Sequence, residues 1–262
     1  RTALAGRPKG VTFVDVTPAG RNPGRVISIW RDWLGAYGRR GGVRGIGEPV
    51  WPGRTPSELT ECHHHETLLN LAFGSGPSWR LICPYDTAAL PAETVQRARS
   101  THPVVSDAAG PAASQTYTTD YDRVLRDLLP DVPVQREAEH PFEMADLPAV
   151  RRFVAKLASR SEAEPRRRTD FVTAVNEVAT NSIRHGGGAG RITAWWTADS
   201  LVCQINDSGY IDSPLIGRQR PAPGPGGGYG LWLVHQLCDL VQLRSDPTTG
   251  TVVRMHLNGG PS

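Results

Sequence analysis

Two residues of complementary chemistry stand four positions apart in TDFVTAVNEVATNSIRHG, residues 169–186: Glu177 and Asn181. At helical spacing they stack on one face. A carboxylate can act as a base, and a carboxamide oxygen can ligate a hard cation such as Mg²⁺. Downstream, Asp207-Ser208-Gly209 ends a strand-like run, and Gly228-Tyr229-Gly230-Leu231 opens a helix-like one. Glycines at a helix start expose backbone N–H groups to phosphate. Taken singly, these pieces have plain structural uses as a solvated helix charge, a cap, a turn and a linker.

These residues need elements to hold them. Phe171, Val175, Val178 and Ile183 give the 169–186 run an apolar stripe, and the glycines at 186–188 end it. A helix over 147–159, with Asp146 as N-cap, precedes it. Residues 191–197 (RITAWWT) and 201–206 (LVCQIN) read as a hairpin, as do 241–245 and 251–257 around DPTTG. Residues 217–228 (GRQRPAPGPGGG) read as a loop, and 229–240 as a helix with Leu231, Val234, Leu237 and Cys238 inward. In the first half, strands are predicted over 8–16 (PKGVTFVDV), 44–51 (RGIGEPVW) and 79–83 (WRLIC). Helices are predicted over 24–37, from 55 or 57 to 73, and over 91–100. That βαβαβα pattern fits a mostly parallel sheet. Residues 104–119, rich in Ala, Ser, Pro, Gly and Thr, read as a linker with a helical piece following over 121–129.

Composition sets bounds. At 262 residues the chain suits one large domain or two ordinary ones, and seven tryptophans permit real cores. No apolar run reaches membrane-span length and no signal-peptide pattern opens the chain, so a cytoplasmic location is expected. The net charge of +3 is modest, and its excess is spread through the first half, which argues against direct nucleic-acid or membrane binding. Lys9 and Lys156 are the two lysines, so no P-loop of the G-x-x-x-x-G-K type exists. Four cysteines (Cys62, Cys83, Cys203, Cys238) are far apart and read as free thiols. The run CHHHE, residues 62–66, suggests metal, but consecutive helical residues diverge by about 100°. His63, His64 and His65 cannot share one ion, so the run reads as surface and packing residues; a metal site would need Cys62 with Glu66, or distant ligands.

Over residues 138–258, the order Glu177/Asn181, Asp207/Gly209, Gly228/Gly230, Thr251 resembles the GHKL ATP-binding domain of histidine kinases and gyrase B. It is most similar to the small serine kinases that act as anti-sigma factors. The resemblance implies an α/β two-layer sandwich with ATP and Mg²⁺ as cofactors. Asp207 would accept a hydrogen bond from the adenine amino group and Gly209 would let the base lie on backbone. Gly228, Gly230 and Leu231 would open the phosphate-facing helix, Thr251 would stand near the adenine, and Asn181 would hold Mg²⁺. Glu177 would be the catalytic base, drawing the proton from a partner's serine or threonine hydroxyl. Arg184, Arg218 and Arg220 are candidates for touching phosphate or a partner. One departure is visible: the family's second adenine-segment glycine is Ile211 here. The motifs FVDVTPAGRNPGR, RGIGEPVW, ECHHHETLLN and LICPYD resemble the MEDS sensory domain. That implies an N-terminal α/β sensory domain over 1–103, truncated before Arg1, and a linker over 104–137 leading to the ATPase domain over 138–262.

The expected function is therefore an ATP-dependent protein serine/threonine kinase. It would phosphorylate an anti-anti-sigma partner and control a sigma factor, with a homodimer left open. An ATP-gated interaction module without phosphotransfer, or a histidine kinase-like regulator, is the alternative. No helix pair carrying a phospho-accepting histidine is visible, and His140 sits in a loop-like context. A gyrase-like clamp would require a transducer domain after residue 258.

Overall fold

The computed structural model describes residues 10–38, 42–75, 79–222 and 228–261. The second half is built on a five-stranded antiparallel sheet of order β5-β6-β7-β9-β8. Its strands are β5 (Ala138–Glu143), β6 (Ala189–Trp196), β7 (Ser200–Asp207), β8 (Leu240–Asp246) and β9 (Gly250–Asn258). Three helices, α6 (Leu147–Ala158), α7 (Pro165–His185) and α8 (Tyr229–Leu237), complete the sandwich. Strand alternation sends Ile192, Ala194, Leu201, Cys203, Ile205, Val253, Met255 and Leu257 toward the helices. They meet Phe171, Val175, Val178 and Ala179 of α7, which follow the helical repeat. Phe171 has no solvent exposure, so its truncation to Ala should cost about 3–5 kcal/mol. Pro165 starts α7 where its missing N–H costs nothing, and Gly187 and Gly188 beyond its end adopt φ of +93° and +90°.

Strand β5 was not foreseen. Its residues are polar and include Pro141, yet it pairs antiparallel with β6 along its full length, Ala138 opposite Ala194. It is an edge strand, where proline is tolerated and one row of hydrogen-bonding groups is free. His140, expected in a loop, lies on this strand and packs edge-on against Phe153. Asp146 is the N-cap residue of α6 as expected, but its carboxylate makes no capping bond to that helix and accepts from Glu143 N at 3.0 Å.

The first half is α/β but carries less sheet than its pattern suggests. Strands β1 (Arg44–Ile46) and β2 (Arg80–Ile82) form a two-stranded parallel pair. The expected strand over 8–16 does not form among the described residues: 11–15 are irregular, and Asp15 caps a short helix, α1 (Val16–Ala19). The β-branched run there is outweighed by an Asp-x-Thr-Pro cap signal. Helix α2 (Val26–Tyr37) follows a 3₁₀ turn, Pro23–Arg25. Helix α3 (Pro56–Phe73) opens on a reciprocal capping box between Thr55 and Glu58, and α4 (Ala92–Thr101) follows β2. Within the stretch read as linker, β3 (Val104–Asp107) and β4 (Gly110–Ala113) form a hairpin, and α5 (Arg123–Arg126) is a single turn.

The two halves are joined by a buried polar seam. The sheet face opposite the helices carries Gln204, Gln242, Arg244 and Arg254, each 6% exposed or less. Carbonyls of the connecting segment cover it: Asp127 O accepts from Arg244 Nε and Pro130 O from Arg254 Nη2, both at 2.8 Å. From the first half, α3 inserts Glu61, which is fully buried.

Candidate functional site

Helix α7 presents Glu177 and Asn181 one turn apart, and the start of α8 lies against them. A Cβ built on Gly230 would stand 3.2 Å from Asn181 Nδ2 and 3.3 Å from Glu177 Oε2. The bare glycine therefore keeps space before both polar groups. Gly228, at φ +88°, turns the chain into α8 through the left-handed region, which favours glycine. Leu231, one residue beyond Gly230, packs into the core and against Gly217, so its side chain serves the wall of the site.

The other end is the last rung of the sheet. Asp207, on β7, is the cross-strand partner of Thr251 on β9, which is opposite Ser245 on β8. These three continue the alternation that points Ile205 and Val253 toward the helices. The Asp207 carboxylate accepts from Ser182 Oγ at 2.5 Å and from Gly209 N at 2.8 Å. Thr251 Oγ1 donates to Gly209 O at 2.9 Å, leaving the Ser245 hydroxyl to donate to Thr251 at 2.8 Å. Ser245 in turn accepts from Ile211 N at 2.8 Å. The departure at Ile211 is thus tied down by a serine from another strand, a compensation no local reading would find. Gly209 is required for packing as well: a Cβ there would stand 2.8 Å from Gly186 Cα and from His185 O. The structure brings Glu177, Asn181 and Gly230 together at one end of this site, and Asp207, Gly209 and Thr251 at the other. Ser182, one residue after Asn181, links the two.

Arg218 does not face this groove. It is 3% exposed, and its Nη2 pairs with Glu61 Oε2 at 2.9 Å, while Arg244 Nη2 holds Glu61 Oε1 at 2.8 Å. Burial alone would raise the Glu61 carboxyl, but Arg244, His64 and Arg218 hold it well below the usual range. Arg220 lies over the Trp232 ring at 5.2 Å. Of the three arginines considered for phosphate or partner contact, Arg218 is committed to α3, while Arg184 and Arg220 are exposed.

Sequence reasoning also missed how the first half grips α8. Arg25 Nε and Nη2 donate to the carbonyls of His235 and Cys238, each at 2.7 Å, and Asn22 Nδ2 donates to His235 O at 3.0 Å. These cap the carbonyl end of α8, where cationic donors are favoured. The Trp232 indole donates to Ser28 Oγ at 3.2 Å, and that hydroxyl donates to Arg218 O at 3.0 Å. The only local hint was the Asn-Pro-Gly-Arg run at 22–25. The approach is close: a Cβ on Gly24 would collide with His235 Nδ1 at 2.1 Å.

Residues 7–103 match the model of the MEDS family, the methanogen/methylotroph DcmR sensory domain. Residues 140–257 match that of the histidine kinase-like ATPase domain. No curated protein matches the chain. The chain carries an N-terminal MEDS domain and a C-terminal GHKL-type ATPase domain, which points to ATP-dependent kinase or ATPase activity in a regulatory protein. The residues present fit ATP with Mg²⁺. The space kept by Gly230 before Asn181 and Glu177 suits a cation and phosphates, and Asp207 retains lone pairs for an amino group. No described helix is long and apolar enough to cross a membrane.

Proposed function

We propose that this protein is a cytoplasmic regulator of the anti-sigma factor type. In this reading it binds ATP and phosphorylates a serine or threonine of an anti-anti-sigma partner, thereby controlling a sigma factor. The supporting observation is the placement of Glu177 beside Asn181 at the mouth of α8, with no side chain on Gly230 to block either. ATP with Mg²⁺ supplies the phosphoryl group and neutralises its charge. Asn181 Oδ1 holds the cation, the first N–H groups of α8 orient phosphate oxygens, and Asp207 with Thr251 fixes the base. Glu177 accepts the proton of the partner hydroxyl at a carboxylate oxygen. The test is Glu177→Ala with labelled ATP and a captured partner. Phosphorylation should be lost while ATP affinity is kept; if wild type moves no phosphate to any bound partner, the kinase reading fails.

A second reading, an ATP-gated interaction module, draws support from Arg218. Arg218, in the segment before α8, pairs with Glu61 of the sensory domain at 2.9 Å, which would let that domain act on the helix bearing Gly230. In that case partner affinity would change with ATP in Glu177→Ala as it does in wild type.

A further inference from the structure

The histidine-rich run on α3 has a use that none of its three histidines serves. Cys62 Sγ donates to Pro49 O at 3.2 Å, and His64 Nε2 meets Asp127 at 2.8 Å. Glu66 turns elsewhere. A carboxylate oxygen of Glu66, the Cys83 sulfur and a ring nitrogen of His102 all lie within 4.8 Å of one another. They come from α3, from just past β2 and from the end of α4, so the cluster exists only in the folded domain.

Three observations mark it as a built site. The His102 Nδ1 lies 2.8 Å from Ala98 O, which can only accept, so that nitrogen carries the proton. In the neutral ring Nε2 is the lone-pair donor, and it stands 4.0 Å from Glu66 Oε1. A ligating histidine is typically fixed in this way, by its other nitrogen on a carbonyl. Secondly, Glu66 is held in place by Tyr85 Oη, at very short range on Oε1, and by Thr101 Oγ1 at 3.4 Å on Oε2. Thirdly, Glu66 is 3% exposed, yet no arginine or lysine pairs with it among the described residues. Glu61, on the same helix, has two arginines. A carboxyl buried this deeply either keeps its proton or is balanced by a cation. Cys83 and His102 are partly exposed and leave an approach from solvent.

We propose that Glu66, Cys83 and His102 bind a divalent ion of the zinc class, with a fourth coordination position open. One sulfur, one imidazole nitrogen and one carboxylate oxygen match borderline-soft ions and suit Mg²⁺ or Ca²⁺ poorly. Tetrahedral ligation would require the three donors to draw closer than the 4.8 Å within which they now stand. Binding releases the Cys83 thiol proton to solvent, the sulfur ligating as thiolate. Three protein ligands leave the ion able to take an exogenous donor. The ion would sit on the helix whose Glu61 holds Arg218 beside the nucleotide site. The proposal does not depend on the kinase reading.

The test uses the whole chain, free of any affinity tag, titrated with Co²⁺ under anaerobic conditions. One equivalent should produce a thiolate-to-cobalt charge-transfer band and four-coordinate visible bands, displaced by Zn²⁺. Cys83→Ser should abolish the charge-transfer band, His102→Ala should weaken Co²⁺ affinity at least tenfold, and Cys62→Ser should leave the spectrum unchanged. No charge-transfer band in wild type, or its survival in Cys83→Ser, overturns the proposal. Should Cys83→Ser fail to fold, alkylation of native protein decides: Zn²⁺ should slow modification of Cys83, and equal rates with and without Zn²⁺ overturn the site.

Discussion

At the scale of the residue, Asp207 is held firmly and still has acceptor capacity. Ser182 Oγ and Gly209 N each take one direction of its carboxylate, which offers about four. Asp207→Asn keeps the shape and removes the charge. It should weaken ATP binding ten- to a hundredfold, about 1.5–3 kcal/mol for a charged hydrogen bond. Calorimetric titration on a variant with unchanged circular dichroism checks this. Two glycines of the site make a contrasting pair. Gly230 is helical, so Gly230→Ala should fold normally while its methyl crowds Asn181 and Glu177 at 3.2–3.3 Å. The expected result is a normal melting temperature with impaired Mg²⁺-dependent ATP binding. Gly250 has φ +87°, and a Cβ there would stand 2.1 Å from Asp207 O. Gly250→Ala should therefore destabilise the domain by about 1–3 kcal/mol, read by urea unfolding. Were Gly230→Ala the less stable of the two, this account of the glycines would fail.

At the scale of the element, α3 is buried on more than one side. Glu61, His64, His65, Glu66 and Thr67 are all buried, where most helices bury aliphatics. Its apolar periodicity is correspondingly weak, and the Thr55–Glu58 capping box is the stronger sign that it is a helix. Its buried polar residues point in two directions, Glu61 across the seam to Arg218 and Arg244 and Glu66 toward Cys83 and His102. Glu61→Ala leaves two buried guanidinium groups without their carboxylate, a change worth about 3–5 kcal/mol. The ATPase domain has its own core, so the loss should appear as separation of one unfolding transition into two, with earlier proteolysis near residues 217–222. An unchanged single transition would show that the seam is carried by other contacts.

At the scale of the whole molecule, the seam makes stability depend on pH. Burial holds His65 and His235 down at about 3, with Arg218 adding to the effect on both. Unfolded, each titrates near the ordinary histidine value of about 6.5. Below that pH the unfolded chain binds more protons, so the stability present above it is lost as pH falls toward the folded values. Each histidine contributes on the order of 1 kcal/mol per pH unit in that window. The carboxylates have yet to titrate through most of it, so the melting temperature should fall between about pH 6.5 and 5 on account of histidines. A flat profile there would refute buried, neutral histidines at the seam.

Much of this protein is written locally. The α7 stripe, the glycines around α8, the two hairpins and the order of Glu177, Asn181, Asp207, Gly228 and Thr251 depend on neighbours a few residues away. Periodicity and turn chemistry act at that range, so they are visible in the sequence. The same range misled at residues 8–16, where β-branched residues suggested a strand and a cap signal prevailed. It was silent on β5, whose place comes from the free edge of β6 rather than from its own polar residues. The rest was decided by distant partners. Ser245 secures Ile211, Glu61 claims Arg218, Arg25 caps α8, and Glu66 meets Cys83 and His102. Each joins polar side chains far apart in sequence, because a buried charge or donor takes whichever partner the packed fold brings within reach. The sequence alone determined which residues could serve a nucleotide. Only the tertiary structure decided that a sensory domain grips the helix and loop beside them.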